Sequence, residues 1–273
     1  MEMVACKNED MFPSNFFCQS WIIQCHGANK DTTTFVDPMK TNIEEKEIAE
    51  MKGKICLGCI DEWLFLSDEQ NKECFFLNLK SLSKVQLPPL PKESIIFSSF
   101  SVSLSPSHPE CTVVLTGTIF ETREHFHWCC MLNDEKWNKS PLDQEFTAAT
   151  DVILDGELYT CSVDHLVVFD VPSLLVGQVE TRTIPIPLPV VYPRNDKVCF
   201  HLVESCGCIY LVRLYAYGGG STNNMDIYRL DTSSDKWLRV NGIGERAFFL
   251  SNMSDISVCA KDVGVESNIL RRR

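Results

Sequence analysis

The sequence lacks a surplus of basic residues. Its 25 lysines and arginines are outnumbered by 37 aspartates and glutamates, which leaves a formal net charge of −12 at pH 7. A surface that binds nucleic acid needs clustered Lys and Arg, because these side chains contact the phosphates and release their counterions. The composition therefore argues against a nucleic-acid partner.

Long apolar runs are also missing. No run approaches the ~18 residues that a helix needs to cross a bilayer, and the polar, acidic start Met1–Phe12 lacks the apolar centre of a secretory signal peptide. Fourteen cysteines would suggest a disulfide framework in a small secreted domain. Without a signal peptide, we interpret them as reduced and mostly buried thiols. These absences predict a cytoplasmic or nuclear protein without membrane contact.

The patterns that bind metals and phosphates are incomplete in this sequence. Cys56 and Cys59 have the spacing of half a tetrahedral zinc site, but no second half with suitable spacing follows. Gly218–Gly220 is glycine-rich but lacks the Lys-Ser/Thr pair and the helix of a phosphate loop. His125 and His127 alternate on one predicted strand and share a partly exposed face, with no carboxylate spaced to orient them. We therefore predict no metal, no cofactor and no catalytic residue.

Several aspartates stand at the ends of predicted strands, namely Asp151, Asp155, Asp170, Asp231 and Asp235. Carboxylates that face each other in pairs can hydrolyse glycosides. Asp is also favoured at turns, because its side chain accepts hydrogen bonds from nearby backbone. We interpret these residues as turn formers, and we keep a propeller hydrolase or lyase with a central carboxylate/His site as the alternative function.

What the sequence does contain is a repeated set of short apolar runs. The clearest set, Cys199–Gly242, has four runs of strand length separated by turn residues, without helical periodicity. Similar sets precede it from Lys54 onward. The fourth-strand positions are separated by 52, 46 and 54 residues and lie at Val85, Trp137, Thr183 and Trp237. Four strands in a period of about 50 residues are typical of a β-propeller blade.

The predicted fold class is therefore all-β, a propeller-like array of about four or five four-stranded antiparallel meanders in a closed or open ring. A β-sandwich is the competing architecture, because it needs no regular period. Residues 1–53 are predicted to form a separate irregular or helical segment, with helices near Phe16–Ile23 and over Asn42–Met51. The propeller domain is predicted to span residues 54–268, and a basic tail follows at 269–273.

Loop lengths predict where a partner binds. In a four-stranded blade, the loops between second and third strands emerge with the blade connectors on one face, and the remaining turns emerge on the opposite face. Most of the longer segments lie on the first of these two faces, including Gly117–Glu124 and Gly218–Asn224. We call it the long-loop face. Because flexible loops carry most binding residues, we predict that Arg123 and Tyr217 contact a protein partner there.

One stretch also resembles a known family. The run GCIDEWLFLSDEQNKECFFLNLKSLSKVQLPPL, which begins at Gly58, resembles the opening of the plant F-box-associated β-propeller family of KIB type. Agreement returns in TDVILDGELYTCSVDHLVVFDV, in HLVESCGCIYLVRLYAY with MDIYRLDTSSDKWLRVNGIGERAFFLSN, and in SVCAKDVGVESN. Together these segments cover roughly residues 50 to 268.

The resemblance implies a non-enzymatic substrate-recognition domain. Members of the family carry an N-terminal F-box that docks on the adaptor of a ubiquitin ligase, while the propeller holds the substrate. Here only Phe17–Trp21 is similar to the end of an F-box, and the chain stops at Ile269–Arg273, before the family's last strands. We therefore expect weakened adaptor binding and a partner held without ubiquitin transfer. A decayed paralogue without function is a further alternative.

Overall fold

The structure is a computed structural model that describes residues 22–26, 32–36, 43–68, 70–142, 151–162, 164–187, 197–216, 222–250, 255–261 and 269–272. Within these ranges, four antiparallel sheets of four strands follow one another along the chain, and a three-stranded sheet stands at each end. This arrangement confirms the predicted all-β class. Among the described residues, no helix is both long and apolar enough to cross a bilayer.

A small antiparallel sheet comes first, with β1 (Ile22–His26), β2 (Thr32–Val36) and β3 (Ile43–Lys46). The helix predicted over Asn42–Met51 is wrong: Ile43–Lys46 pairs with β2, and only Ala49–Met51 forms a 3-10 turn. A ten-residue helix is marginal by itself, whereas pairing with β2 supplies its backbone with hydrogen bonds. The helix predicted near Phe16–Ile23 lies outside the described residues except for its last two positions, which belong to β1.

In each four-stranded sheet, every strand pairs with the next one along the chain. The first meander contains β4 (Lys54–Ile60), β5 (Trp63–Asp68), β6 (Cys74–Asn78) and β7 (Lys84–Leu87). The second contains β8 (Ile95–Val102), β9 (Thr112–Ile119), β10 (His125–Met131) and β11 (Asn138–Leu142). The third contains β12 (Val152–Leu154), β13 (Glu157–Cys161), β14 (His165–Asp170) and β15 (Thr181–Pro185). The fourth contains β16 (Lys197–Ser205), β17 (Cys208–Ala216), β18 (Thr222–Asp231) and β19 (Lys236–Val240).

The last sheet contains β20 (Arg246–Leu250), β21 (Ile256–Cys259) and β22 (Ile269–Arg272). Strand β20 lies in the middle, antiparallel to β21 and parallel to β22. The first strands of neighbouring meanders lie side by side, since β12 contacts both β8 and β16, and β16 in turn contacts β21, an edge strand of the last sheet. Inner strands that meet in this way around a common axis define a propeller rather than a sandwich of two face-packed sheets.

The residues that form hydrogen bonds between neighbouring blades are separated in sequence by about the length of one blade. The Trp137 indole Nε1 donates to the Pro88 carbonyl at 3.0 Å, across 49 residues of sequence. The hydroxyls of Ser205 and Ser257 lie 2.8 Å apart, across 52 residues. The period seen in the sequence is therefore also the spacing of residues that join one blade to the next.

Aromatic side chains fill the space between the first two blades. Phe65 packs against Phe76 and Phe100 with ring centroids 5.3 and 5.6 Å apart. Gly58 lies at a β-bulge facing this cluster, and a Cβ at this position would lie 2.2 Å from Cε1 of Phe100. Glycine is therefore required there, because the Phe100 ring is buried and has no room to move.

One helix was not predicted. It is α1 (Val171–Leu175), which follows β14 directly. Asp170 is its N-cap and accepts a hydrogen bond from the backbone N–H of Ser173 at 2.8 Å. An Asp followed by Val-Pro-Ser is an N-cap signal, but the run of apolar residues before it favoured a strand that continued through Pro172.

Cysteines are distributed through the core of the described blades. None of the eleven cysteines whose side chains are described forms a disulfide; five of them are buried, five are half-buried and Cys206 is exposed. Burial raises the pKa of the Cys111 thiol to about 11 and that of Cys74 to about 12. Such thiols stay protonated at neutral pH and pack as small apolar side chains.

Candidate functional site

The inner strands surround a cavity of about 460 Å³ at one end of the propeller axis. We call it the axial cavity. It lies at the carboxyl-terminal ends of β4, β8 and β16, and so at the face opposite the long-loop face. Five carboxylates belong to its wall, namely Asp61, Asp151, Asp155, Glu204 and Asp255. The described residues of this wall include no Lys, Arg or His.

Tight hairpin turns place three of these carboxylates at the mouth. Asp61 and Asp155 have φ angles of 48° and 51°, and Gly156 follows with 82°. Asp tolerates this left-handed region better than most residues, and Asp155 and Gly156 together have the two positive φ angles of the type I′ turn that suits a hairpin. Glu204 closes the equivalent turn of the fourth meander, where its Oε1 accepts from the backbone N–H of Gly207 at 2.8 Å. Asp155 thus has the turn role predicted for it and also borders the cavity.

Asp61 at the mouth lies beside a further carboxylate. Burial, together with repulsion from the adjacent Glu62 carboxylate, raises the pKa of Asp61 above its ordinary value. A raised pKa indicates that ionisation of the carboxyl group is opposed by its surroundings. A positive group placed at the mouth would relieve that cost.

Asp151 was predicted to form an exposed turn, but the structure places it in a buried environment. Its side chain is 7% exposed, and its backbone joins two blades. The Asp151 N–H donates to Ser99 Oγ, and its carbonyl accepts from Ser101 Oγ, each at 2.7 Å. Thr116 donates its hydroxyl to Oδ2 of the same residue. The turn interpretation of Asp151 is therefore wrong, because this strand end abuts the neighbouring blade instead of solvent.

Thr116 links Asp151 to a buried histidine. Its Oγ1 lies 2.9 Å from Nδ1 of His127, a side chain that is fully buried instead of on a partly exposed face. Burial lowers the pKa of His127 to about 3. Burial also raises the pKa of Asp151 to about 7, although the hydroxyls of Thr116, Thr160 and Ser99 oppose the rise. Thr116 reaches His127 because the register of β9 and β10 makes the two residues cross-strand partners.

A second carboxylate and imidazole pair lies at the edge of the axial cavity. His201 Nδ1 is 3.0 Å from Oδ2 and 3.2 Å from Oδ1 of Asp255. The pair joins β16 to the segment that enters β21, beside the Ser205–Ser257 contact. Its position between two sheets indicates that it ties the last sheet to the fourth meander.

Cys56 and Cys59, which have the spacing of half a zinc site, both lie on β4. Cys56 donates its thiol to the Gly58 carbonyl at 3.4 Å, within the bulge of β4. No group of three or more His, Cys, Asp or Glu side chains with metal-binding geometry occurs among the described residues. Both cysteines pack against a buried apolar cluster of the first blade.

On the long-loop face, Arg123 lies in the turn between β9 and β10 with a φ of 63°. Its guanidinium stacks over the Phe120 ring at 5.0 Å from the centroid. Phe120 is 52% exposed, and Ile96 on β8 is 54% exposed. The β8–β9 register pairs Ile96 with Thr118. Because side chains two residues apart point to the same side of a sheet, Phe120 lies on the same side of this sheet as Ile96. We call Ile96, Phe120 and Arg123 the Phe120 ridge. Tyr217 lies outside the described residues.

Comparison with solved structures gives only distant likenesses. The dihydro-heme d1 dehydrogenase NirN is 9% identical with a TM-score of 0.41, and the alignment covers 82% of this chain and 45% of that one. An oligogalacturonate lyase in complex with manganese is 10% identical with a TM-score of 0.45, covering 78% and 59%. The N-terminal domain of Nup159 is 12% identical with a TM-score of 0.42, covering 86% and 66%. The chain thus spans about half to two thirds of these structures.

No curated protein matches the sequence. A profile of the family described as the KIB1-4 β-propeller, in contrast, matches residues 35–270, which is most of the chain. The matched residues include all four meanders, the axial cavity and the Phe120 ridge. The chain belongs to the KIB1-4 β-propeller family.

Proposed function

We propose that this chain is a non-enzymatic substrate-recognition propeller that holds a protein partner on its long-loop face. The Phe120 ridge is the observation that carries the proposal. Aromatic and arginine side chains dominate the energetics of protein interfaces, and here an exposed Phe and an Arg are held together by stacking. Arg123 is also kept in a left-handed backbone conformation, which fixes the direction of the turn.

The resemblance to F-box-associated propellers suggests what happens to the partner. Those propellers hold the substrate of a ubiquitin ligase, and we propose the same holding role for this chain. Transfer then depends on adaptor binding, which calorimetric titration with purified adaptor measures directly. Submicromolar binding would favour ubiquitin transfer. Binding at least about a hundredfold weaker than that of a family member with a complete F-box, a deficit of roughly 3 kcal/mol, would favour holding without transfer.

A hydrolase or lyase that acts at the axial cavity is the second candidate. The five carboxylates of its wall favour such a role. General acid–base catalysis, however, needs a group within hydrogen-bond reach of the substrate proton, and Nε2 of His201, the imidazole nitrogen that Asp255 leaves free to react, is buried and not open to the cavity. Turnover of a glycoside or uronide that is lost in Asp155→Asn would favour the enzyme over the recognition domain.

The recognition proposal is tested by comparing captured proteins between matched variants. The double variant Phe120→Ala, Arg123→Ala removes the exposed anchors, and Leu238→Ala is the control, because Leu238 is 44% exposed on β19, away from the ridge. Substitutions of this kind change the free energy of unfolding by only about 0.5 kcal/mol. Quantitative mass spectrometry should show a partner that is reduced at least tenfold with the double variant and unchanged with the control. Equal capture by all three chains would contradict the proposal.

A further inference from the structure

A groove of about 260 Å³ lies against the two outer strands of the fourth meander. Its lining includes Met225, and we call it the Met225 groove. Its floor contains Ile227 of β18 and Val240 of β19, which are cross-strand partners, and also Ile243, which is 6% exposed. Ile227 and Ile243 pack against the apolar cluster between the fourth meander and the last sheet. The floor is therefore anchored to the core, and its shape does not depend on a partner.

Two large apolar side chains are exposed at this groove. Met225 is 53% exposed in its lining, and Leu238 on β19 is 44% exposed. Side chains two residues apart on a strand point to the same side, so Met225 lies on the same side as Ile227. The β18–β19 register places Val240 and Leu238 on that side too. Single exposed apolar side chains are normal, whereas a continuous strip of them is typical of an interaction surface.

Basic side chains continue this strip towards the other end of the two strands. Arg229 lies two residues after Ile227, and Lys236 lies two residues before Leu238. Both are exposed, and neither forms an ion pair with a carboxylate in the described part of the chain. Asp231, the cross-strand partner of Lys236, accepts hydrogen bonds from two serine hydroxyls of the adjoining turn. This side of the two strands therefore has a net positive charge, in a chain whose formal net charge is −12.

The third cation of this region is already neutralised. The Arg239 guanidinium, which also lines the groove, donates Nη2 to Oδ1 of Asp226 at 2.6 Å. The other oxygen of that carboxylate accepts from Nη2 of the buried Arg213 at 3.1 Å. Arg229 and Lys236 are thus the cations that remain for a ligand, and they lie on the same side of the sheet as the exposed apolar strip.

We propose that the Met225 groove and the two cations beside it bind an extended acidic segment of a partner protein. A leucine-like side chain fills the groove, and carboxylates at the second and fourth positions after it pair with Arg229 and Lys236. Alternate side chains of an extended chain are about 6.6 Å apart, which is also the spacing of Ile227 and Arg229 along β18.

The position of β19 favours an extended segment. This strand is the outermost of its sheet, and an edge strand offers unpaired backbone N–H and C=O groups to a chain that lies beside it. Burial of the apolar anchor supplies affinity, and the cations select acidic partners over basic ones. The surface belongs to the fourth meander and is separate from the Phe120 ridge on the second.

Methyl NMR and titration calorimetry of the full chain test the proposal. The probe is acetyl-Gly-Leu-Ser-Glu-Ser-Glu-Gly-amide. One control peptide has lysine in place of both glutamates, and the other has each glutamate exchanged with the serine before it. The acidic probe should shift the methyl signals of Met225, Ile227 and Ile243 and leave that of Ile96 on the long-loop face in place. The lysine peptide should shift none of them, and the exchanged peptide should bind at least threefold more weakly.

Charge reversal separates a site from general attraction. The double variant Arg229→Glu, Lys236→Glu should weaken binding of the acidic probe at least tenfold and should gain binding of the lysine peptide, which a misfolded chain would not do. Lys52→Glu, Lys136→Glu makes the same change of charge at exposed positions outside the fourth meander and should leave the affinity for the acidic probe within twofold.

Four results would overturn the proposal. They are absence of binding by the acidic probe, equal binding of the lysine or the exchanged peptide to the wild type, equal weakening by both double variants, and shifts of the groove methyl signals with protein concentration alone. The last result would identify a second copy of this chain as the occupant. Partner capture through the Phe120 ridge would be unaffected by any of these outcomes.

Discussion

Replacing Asp151 with Asn should change how stability depends on pH, because the pKa of this carboxyl group differs between the folded and unfolded chain. Burial raises it from 3.8 to about 7. A group whose pKa is raised on folding stabilises the protein below its unfolded pKa, and this stabilisation is lost as pH rises through the folded pKa. Three pKa units correspond to about 4 kcal/mol of unfolding free energy, lost at about 1.4 kcal/mol per unit between pH 4 and 7.

His127 has the opposite effect. Its pKa falls from 6.5 to about 3 on folding, so its contribution is present above the unfolded pKa and is lost as pH falls. The two slopes have similar size and opposite sign between about pH 4 and 6.5, so in the wild-type chain they nearly cancel. Asp151→Asn removes one slope and leaves the other.

We therefore expect the free energy of unfolding of Asp151→Asn to rise by about 1 kcal/mol per pH unit between pH 4.5 and 6.5, against a smaller slope in the wild type. At pH 8 the variant should be more stable by about 1–3 kcal/mol, since an Asn that pairs imperfectly with Thr116 offsets part of the gain. Urea unfolding followed by tryptophan fluorescence at three pH values measures both quantities, with Asp155→Asn at the exposed turn as the control. Parallel pH profiles for Asp151→Asn and the wild type would refute the reasoning.

Three further outcomes are expected. Gly58→Ala should lower the unfolding free energy by about 1–3 kcal/mol, because its Cβ would overlap the buried Phe100 ring; wild-type urea midpoints would contradict this. Alkylation of the native chain followed by mass spectrometry should label exposed Cys206 first and buried Cys130 last, since burial raises the pKa of Cys130; the reverse order would be inconsistent with the packing. His201→Ala should speed amide exchange in β21 without affecting β9, because it removes the imidazole that ties β21 to the fourth meander; unchanged exchange in β21 would show that other contacts hold it.

Much of the architecture could be predicted from the sequence, because each meander is a local unit with its own turns. The strands of the fourth meander follow the apolar runs between Cys199 and Gly242. Of the four fourth-strand positions, Val85, Thr183 and Trp237 lie in outer strands, and Trp137 lies one residue before β11. The first sheet was missed because β1 to β3 are short strands, separated by segments without a repeat of the same pattern. Local signals predict strands well where neighbouring turns define their ends, and less well elsewhere.

The candidate sites were only partly predictable. The turn chemistry of Asp155 was correctly predicted, but turns do not reveal that Asp61, Asp155 and Glu204 meet at one cavity, because that depends on how blades are placed around the axis. Arg123 was selected from loop length alone. Its stacking on Phe120 is a local feature, three residues apart, that an inspection for exposed aromatic and arginine pairs would have found.

Asp151 and Asp155 show why a single rule for strand ends fails in a propeller. The two residues flank the same three-residue strand, yet one is buried against the preceding blade and the other lies at a solvent-facing hairpin. The distinguishing signal lies about one blade earlier, where Ser99 and Ser101 precede Asp151 by 52 and 50 residues and bond to its backbone. The same spacing joins His201 to Asp255, across 54 residues. Polar residues of inner strands that recur at the blade period therefore predict contacts between blades, and a carboxylate in such a pair is expected to be buried and to have a shifted pKa.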